Sequence, residues 1–279
     1  VSVVESRLEA LSSRLVGLYT SVDGAGPSLS DVRILHVSDL HSNPVGIELV
    51  EQTAERFDVD AIVDTGDLTS FGATVEAFVV DRIARIDIPY YVIPGNHDSA
   101  LTQAAVERQE NAVVLDGNTA EVAGLRFAGR GDPRFTPDKD TRDEVAPPSV
   151  SQVGLASRGL AARSASEGEP VDIAVVHDGA AANEIDGTAG LILSGHYHRR
   201  EQNLLPGGSL SFFQGSTGAS GLRGLEKEKP TPVRASVLYV DRDSGDLQAW
   251  DDITLGGLGL VRAKIERKLY AEQFPEAET

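Results

Sequence analysis

The sequence predicts an α/β protein. From residue 32 to residue 98, apolar runs of strand length alternate with segments of helical periodicity, the signature of parallel β-α-β units. Polar residues able to bind metals or move protons recur at the same end of those runs, where a parallel sheet opens its ligand crevice. With 279 residues, 41% of them hydrophobic, the chain is long enough to bury a large core, and one principal domain is expected.

The elements follow in order. Residues 1–22 place Val4, Leu8, Leu11, Leu15 and Leu18 at intervals of three and four, which predicts an amphipathic helix on the domain surface. The stretch DGAGPSLSD, 23–31, reads as a linker. VRILHVSD, DAIVDTGD and YYVIPGNHD are three strands, separated by the helices GIELVEQTAERF and TVEAFVVDRIARI. ALTQAAVERQ is a further helix with Asp98 and Ser99 as candidate caps. The second half is richer in short strands: AVVL, TAEVAGLRFAG, VDIAVVHD, GLILSGHYH, SLSFFQGS and RASVLYVDRDSGDLQAW, the last folding back at Asp-Ser-Gly-Asp. A helix is expected over 150–163, within a polar, Pro-rich connection. The division expected is an N-terminal helix and linker over 1–30, a catalytic domain over 31–256, and a tail or helix over 257–279.

Composition excludes several classes. No Cys is present, so disulfides and thiolate metal sites are ruled out, and any metal must be held by imidazole, carboxylate or amide groups. A formal charge of −18 repels a phosphate backbone and argues against general nucleic-acid binding. No run of eighteen apolar residues occurs, so the chain as given is expected to be soluble. It opens on Val1 and has no Met, which fits a trimmed initiator or a soluble domain cut from a membrane-anchored parent. Membrane association through that parent or through the N-terminal helix stays open, as do compartment and oligomeric state.

The chemistry gathers at strand ends. The first strand ends in Asp39-Leu40-His41, the second in Gly66-Asp67, the third in Gly95-Asn96-His97-Asp98, and later ones in His177 and in Gly195-His196-Tyr197-His198. Two-residue spacing lets Asp39 and His41, or His196 and His198, face one side of an extended segment. Each short motif alone is weak; the ordered set holds five of the six histidines, each beside an apolar run. The sixth, His36, lies inside the first strand and reads as a core residue. Asp64 reads either as a support for the ligands or as a turn cap. Arg130-Gly131-Asp132 matches a common adhesion tripeptide by chance. The Gly-rich stretch 206–224 lacks the Gly-Lys-Ser/Thr ending of a P-loop and reads as turns around a strand.

This ordered set resembles the calcineurin-like metallophosphoesterase superfamily, whose blocks run D-x-H, G-D, G-N-H-D/E, H and G-H-x-H. The resemblance covers about residues 32–198 and implies a four-layer α/β/β/α sandwich of two packed mixed sheets flanked by helices. It implies two metal ions, with Asp39, His41 and His198 on the first, Asn96, His177 and His196 on the second, and Asp67 bridging both. Oxygen and imidazole donors suit Mn, Fe or Zn. It further implies hydrolysis of a phosphate ester by a metal-bridging hydroxide, with His97 stabilising the phosphoryl oxygens or protonating the leaving alkoxide and Asp98 fixing the His97 tautomer. A small phosphorylated substrate is expected, a diester ahead of a monoester or phosphoprotein. Arg130 and Arg134, in the long connection after residue 129, are candidate substrate groups. The alternative from another class is a non-catalytic protein-binding scaffold, as in the retromer subunit of this superfamily.

Overall fold

The computed structural model describes residues 32–134, 149–221, 231–256 and 263–275; the helix and linker expected over 1–30 lie outside them. Four strands open the chain, β1 (Val32–Val37), β2 (Ala61–Asp64), β3 (Tyr90–Val92) and β4 (Ala112–Val114). They pair in parallel through the helices α1 (Pro44–Arg56), α2 (Phe78–Ile83) and α3 (Ala100–Val106). Asn43 caps α1 by accepting from the Val45 amide, and Pro44 stands where a missing N–H costs nothing. The second expected helix is split: Thr74–Ala77 is a 3₁₀ turn before α2.

The hairpin β5 (Asn118–Val122) and β6 (Leu125–Arg130) leads through α4 (Val150–Ser166) to β7 (Ile173–Asp178), α5 (Ala182–Ile185), β8 (Leu191–Gly195), β9 (Glu201–Leu204) and β10 (Leu210–Phe213). The chain then forms β11 (Val233–Val240), β12 (Leu247–Leu255), β13 (Ala263–Leu269) and a short α6 (Tyr270–Gln273). Two mixed sheets result, in the orders β13-β12-β11-β1-β2-β3-β4 and β5-β6-β7-β8-β10-β9.

Alternation along each strand builds the layers. Ile34, Val63, Phe127, Val175, Leu193, Phe212 and Trp250 pack between the two sheets. Leu35, Val37 and Ile62 face α1 to α3 on one outer side; Ala174, Val176 and Ile192 face α4 and α5 on the other. The protein is therefore the four-layer sandwich expected.

Two strands were not foreseen, β9 and β13. Residues 263–269 are an edge strand paired antiparallel to β12, which corrects the reading of that stretch as a tail or helix; among the described residues there, α6 is a single short α-helix. No described helix is long and apolar enough to cross a membrane.

Candidate metal centre

The carboxyl ends of β1, β2, β3, β7 and β8 meet at one end of the sandwich. Beyond β1 and β2 the backbones stay laced: the Asp39 amide donates to the Gly66 carbonyl at 2.8 Å and the His41 amide to the Asp67 carbonyl at 2.9 Å. Close packing then joins the strands. A Cβ on Gly95 would collide with the Asp67 carboxylate, and one on Gly195 with the Ser38 hydroxyl, so glycine is required at both.

Two groups of side chains form there. Asp39, His41 and His198 offer ligand atoms within 4.8 Å of one another, and so do Asp67, His177 and His196. Asn96 joins the second group, with its Oδ1 at 3.0 Å from His177 Nε2. Asp67 lies between the groups. Its Oδ1 accepts from the His97 amide at 2.8 Å, while its Oδ2 is 3.8 Å from His41 Nε2 and 3.4 Å from His177 Nε2.

Tautomers follow from acceptors that cannot donate. His41 Nδ1 faces the Thr69 carbonyl at 3.3 Å, and His177 Nδ1 faces the Thr65 carbonyl at 2.6 Å. Each Nδ1 must carry the proton, so each Nε2 turns a lone pair into the cluster. His198 Nδ1 is engaged by the Ser220 hydroxyl at 2.7 Å. Ligand atoms thus converge: His41 Nε2 and His198 Nε2 stand 3.1 Å apart, and the fully buried Asp39 Oδ1 has no hydrogen-bond partner among the described residues. Such a donor set fits a cation at each group.

Charge balance points the same way. Burial opposes ionisation of Asp39 and Asp67, yet His198, its Nε2 3.3 Å from Asp39 Oδ1, and the charges of His177 and His41 hold Asp39 low, and His177 does the same for Asp67. Burial pulls His177 down, but the Asp67 carboxylate outweighs it and pushes His177 up to about 10. The two buried carboxylates thus favour positive charge beside them.

The backbone at the site is unusual. Asp39, His41, Asp67, His196 and His198 have φ of 53°, 44°, 61°, 72° and 55°, a region that costs a non-glycine residue about 1–3 kcal/mol. Five of the seven residues expected to bind metal are held there, which marks a site rather than a stretch of ordinary loop.

The structure brings all seven of those residues together and places His97 beside them, its ring 5.2 Å from that of His41. It corrects the role expected of Asp98. The His97 Nδ1 donates to the Ser70 carbonyl at 2.8 Å, while the Asp98 carboxylate accepts from the amides of Asp67, Gly95 and Thr69 at 2.8, 2.9 and 2.9 Å and from the Thr69 hydroxyl at 3.0 Å. Asp98 therefore shapes the loops and does not fix the His97 tautomer. Burial and the nearby Asp67 charge push its pKa up to about 6.

Arg134 reaches Asp132 at 2.5 Å and Asp178 at 2.7 Å, which ties it to two carboxylates next to His177. Arg130 turns its guanidinium to Gly117, between β4 and β5. His36 is buried, with Nε2 at 3.3 Å from the Thr65 hydroxyl, a core position as expected. Asp64 caps the turn at the Gly66 amide, 2.9 Å away, and accepts from Tyr90 at 2.5 Å. Sequence reasoning missed Ser220 and the carbonyls of Thr65, Thr69 and Ser70. Ser220 sat in the Gly-rich stretch, where only its left-handed φ of 64° sets it apart; carbonyls have no residue signature.

Comparison with known proteins agrees with this geometry. A sequence profile described as calcineurin-like phosphoesterase matches residues 32–200. A protein of Arcobacter nitrofigilis named probable glycerophosphodiester phosphodiesterase GpdQ is 34% identical over 68 residues, 24% of this chain and 19% of its own length. The chain thus matches about a fifth of that relative. The structure of TT1561 from Thermus thermophilus superposes with a TM-score of 0.56 at 15% identity, covering 83% of this chain and 99% of that one. A dimetal phosphatase from Danio rerio superposes with a TM-score of 0.50 at 9% identity, covering 84% and 98%. These likenesses concern the fold.

Proposed function

Because this chain belongs to the calcineurin-like phosphoesterase family, we propose that it hydrolyses phosphate esters, diesters in preference to monoesters, with two metal ions at the cluster. The observation that carries this reading is the position of Asp67, whose Oδ2 faces His41 of one group and His177 of the other. The diester preference draws on the name of the Arcobacter relative.

Asp39, His41 and His198 would hold one ion, Asn96, His177 and His196 the other, and Asp67 would be shared. Ions of this kind, Mn, Fe or Zn, stabilise charge on phosphoryl oxygens and lower the pKa of water. The chain's own residues do the rest. The His97 amide fixes Asp67 through Oδ1, leaving Oδ2 to the shared position. With Nδ1–H held by Ser70, the imidazolium of His97 carries its second proton on Nε2 and delivers it to the leaving alkoxide. Thr65, Thr69 and Ser220 keep the three histidines aimed.

Elemental analysis of the purified protein, with a panel of monoesters, diesters and cyclic nucleotides, tests the proposal. About two equivalents of metal and chelator-sensitive turnover, fastest on diesters, are expected. Turnover of monoesters alone would move the reading to a phosphatase. Two bound metals without any hydrolysis would favour the scaffold.

A further inference from the structure

We infer that Tyr197 and Arg199 form a clamp for a planar aromatic group, such as a nucleobase, on the part of the ester that flanks the reacting phosphate. The inference rests on the phosphoesterase reading of the neighbouring cluster. It starts from an exposed ring that is nonetheless fixed. Tyr197 stands between His196 and His198 and is 42% exposed. Its hydroxyl donates to Asp178 Oδ1 at 2.9 Å. Asp178 is itself held, by the Ala180 amide at 2.9 Å and by Arg134 at 2.7 Å. The ring rests against His196, centroid to centroid 5.1 Å, and Phe213 at 5.9 Å.

A ring held at its hydroxyl and along its edges loses little freedom when a ligand stacks on it. Its contact with His196, a member of the second group, puts the ring directly beside the cluster. Arg199 completes the clamp. Its guanidinium lies 5.4 Å from the Tyr197 centroid, on a largely exposed side chain whose ion pair to Glu201 at 3.1 Å is a weak surface one. Guanidinium planes stack on aromatic faces, so a planar group laid on Tyr197 takes the place Arg199 now holds over the ring, and the exposed side chain swings out to cover the group in turn.

Two diesters with the same leaving group test the clamp: adenosine 5′-phosphoethanolamine and glycerophosphoethanolamine. Tyr197→Leu is expected to raise KM for the adenosine diester by about ten- to a hundredfold, the scale of base–aromatic stacking, with a much smaller change for the glycerol diester. Tyr197→Phe keeps the ring and most of the discrimination, and Arg199→Ala, at an exposed position, loses part of it. Parallel changes on both diesters in all three variants would overturn the clamp and leave Tyr197 a support for Asp178. Calorimetry with AMP and glycerol phosphate separates this inference from the reading it rests on. Tighter binding of AMP, lost in Tyr197→Leu, supports the clamp even if neither diester is hydrolysed. Equal affinity of the wild-type protein for the two ligands overturns it.

Discussion

His97 and Ser70 are joined by a 2.8 Å hydrogen bond from the imidazole Nδ1 to a backbone carbonyl. A carbonyl only accepts, so this bond leaves Nε2 as the atom able to exchange a proton with substrate. His97→Ala is expected to keep the fold and both metals and to lower turnover by ~10²–10⁴. The loss should shrink for nitrophenyl esters, whose leaving group needs little protonation. An equal loss for good and poor leaving groups would assign His97 to charge stabilisation alone.

The proposed sharing of Asp67 between two ions makes a separate prediction. Asp67→Asn should lose more metal than His41→Ala, and both should lose most hydrolysis. Elemental analysis decides: two equivalents retained in Asp67→Asn would exclude the bridge.

Asp98 satisfies three backbone amides from two segments, Asp67 and Thr69 after β2 and Gly95 after β3. Asp98→Ala would leave buried donors without partners at about 1–3 kcal/mol each. A lower melting temperature and weaker metal retention are therefore expected together. Were Asp98 instead the partner of His97, the variant would shift the pH profile of turnover with stability unchanged.

Burial raises the Asp64 pKa to about 8, against the hydrogen bonds from Tyr90 and Gly66. The unfolded carboxyl titrates near 3.8, so between about pH 4 and 8 the folded state binds the extra proton. The stability this group contributes is full below the lower value and is lost as pH rises through the upper one. Asp64→Asn retains an acceptor for Gly66 and removes the titration. Denaturation midpoints of the variant should fall less steeply than wild type from about pH 4 to 8; identical slopes would refute the assignment.

Much of the site was legible because its chemistry is in side chains at strand ends, where apolar runs stop at Asp39, Asp67, Asn96, His177 and His196. The α/β class followed from the same runs, and the four layers from the family resemblance those motifs carry. What escaped lacked such a mark. β9 reads EQNL and β13 reads AKIERKL, charged as edge strands are, so β9 shows no apolar face and the half-buried Ala263, Ile265 and Leu269 of β13 are outnumbered by charges. The role of Asp98 has no sequence mark because its partners are backbone amides, identical in every residue, while its neighbour His97 offers a visible side chain. The Tyr197 hydroxyl meets Asp178 only through the packing of β7 against β8.

The tight seating of Gly95 on Asp67 and of Gly195 on Ser38 bears on transplantation. A designer who copied the five motifs onto another α/β scaffold would reproduce the side chains and their order, yet the cluster is closed by two glycines that leave no room for a methyl group against Asp67 and Ser38. A host whose strands stand slightly farther apart would tolerate alanine at both glycines, and that tolerance, easily screened, would itself announce that the graft had failed to close.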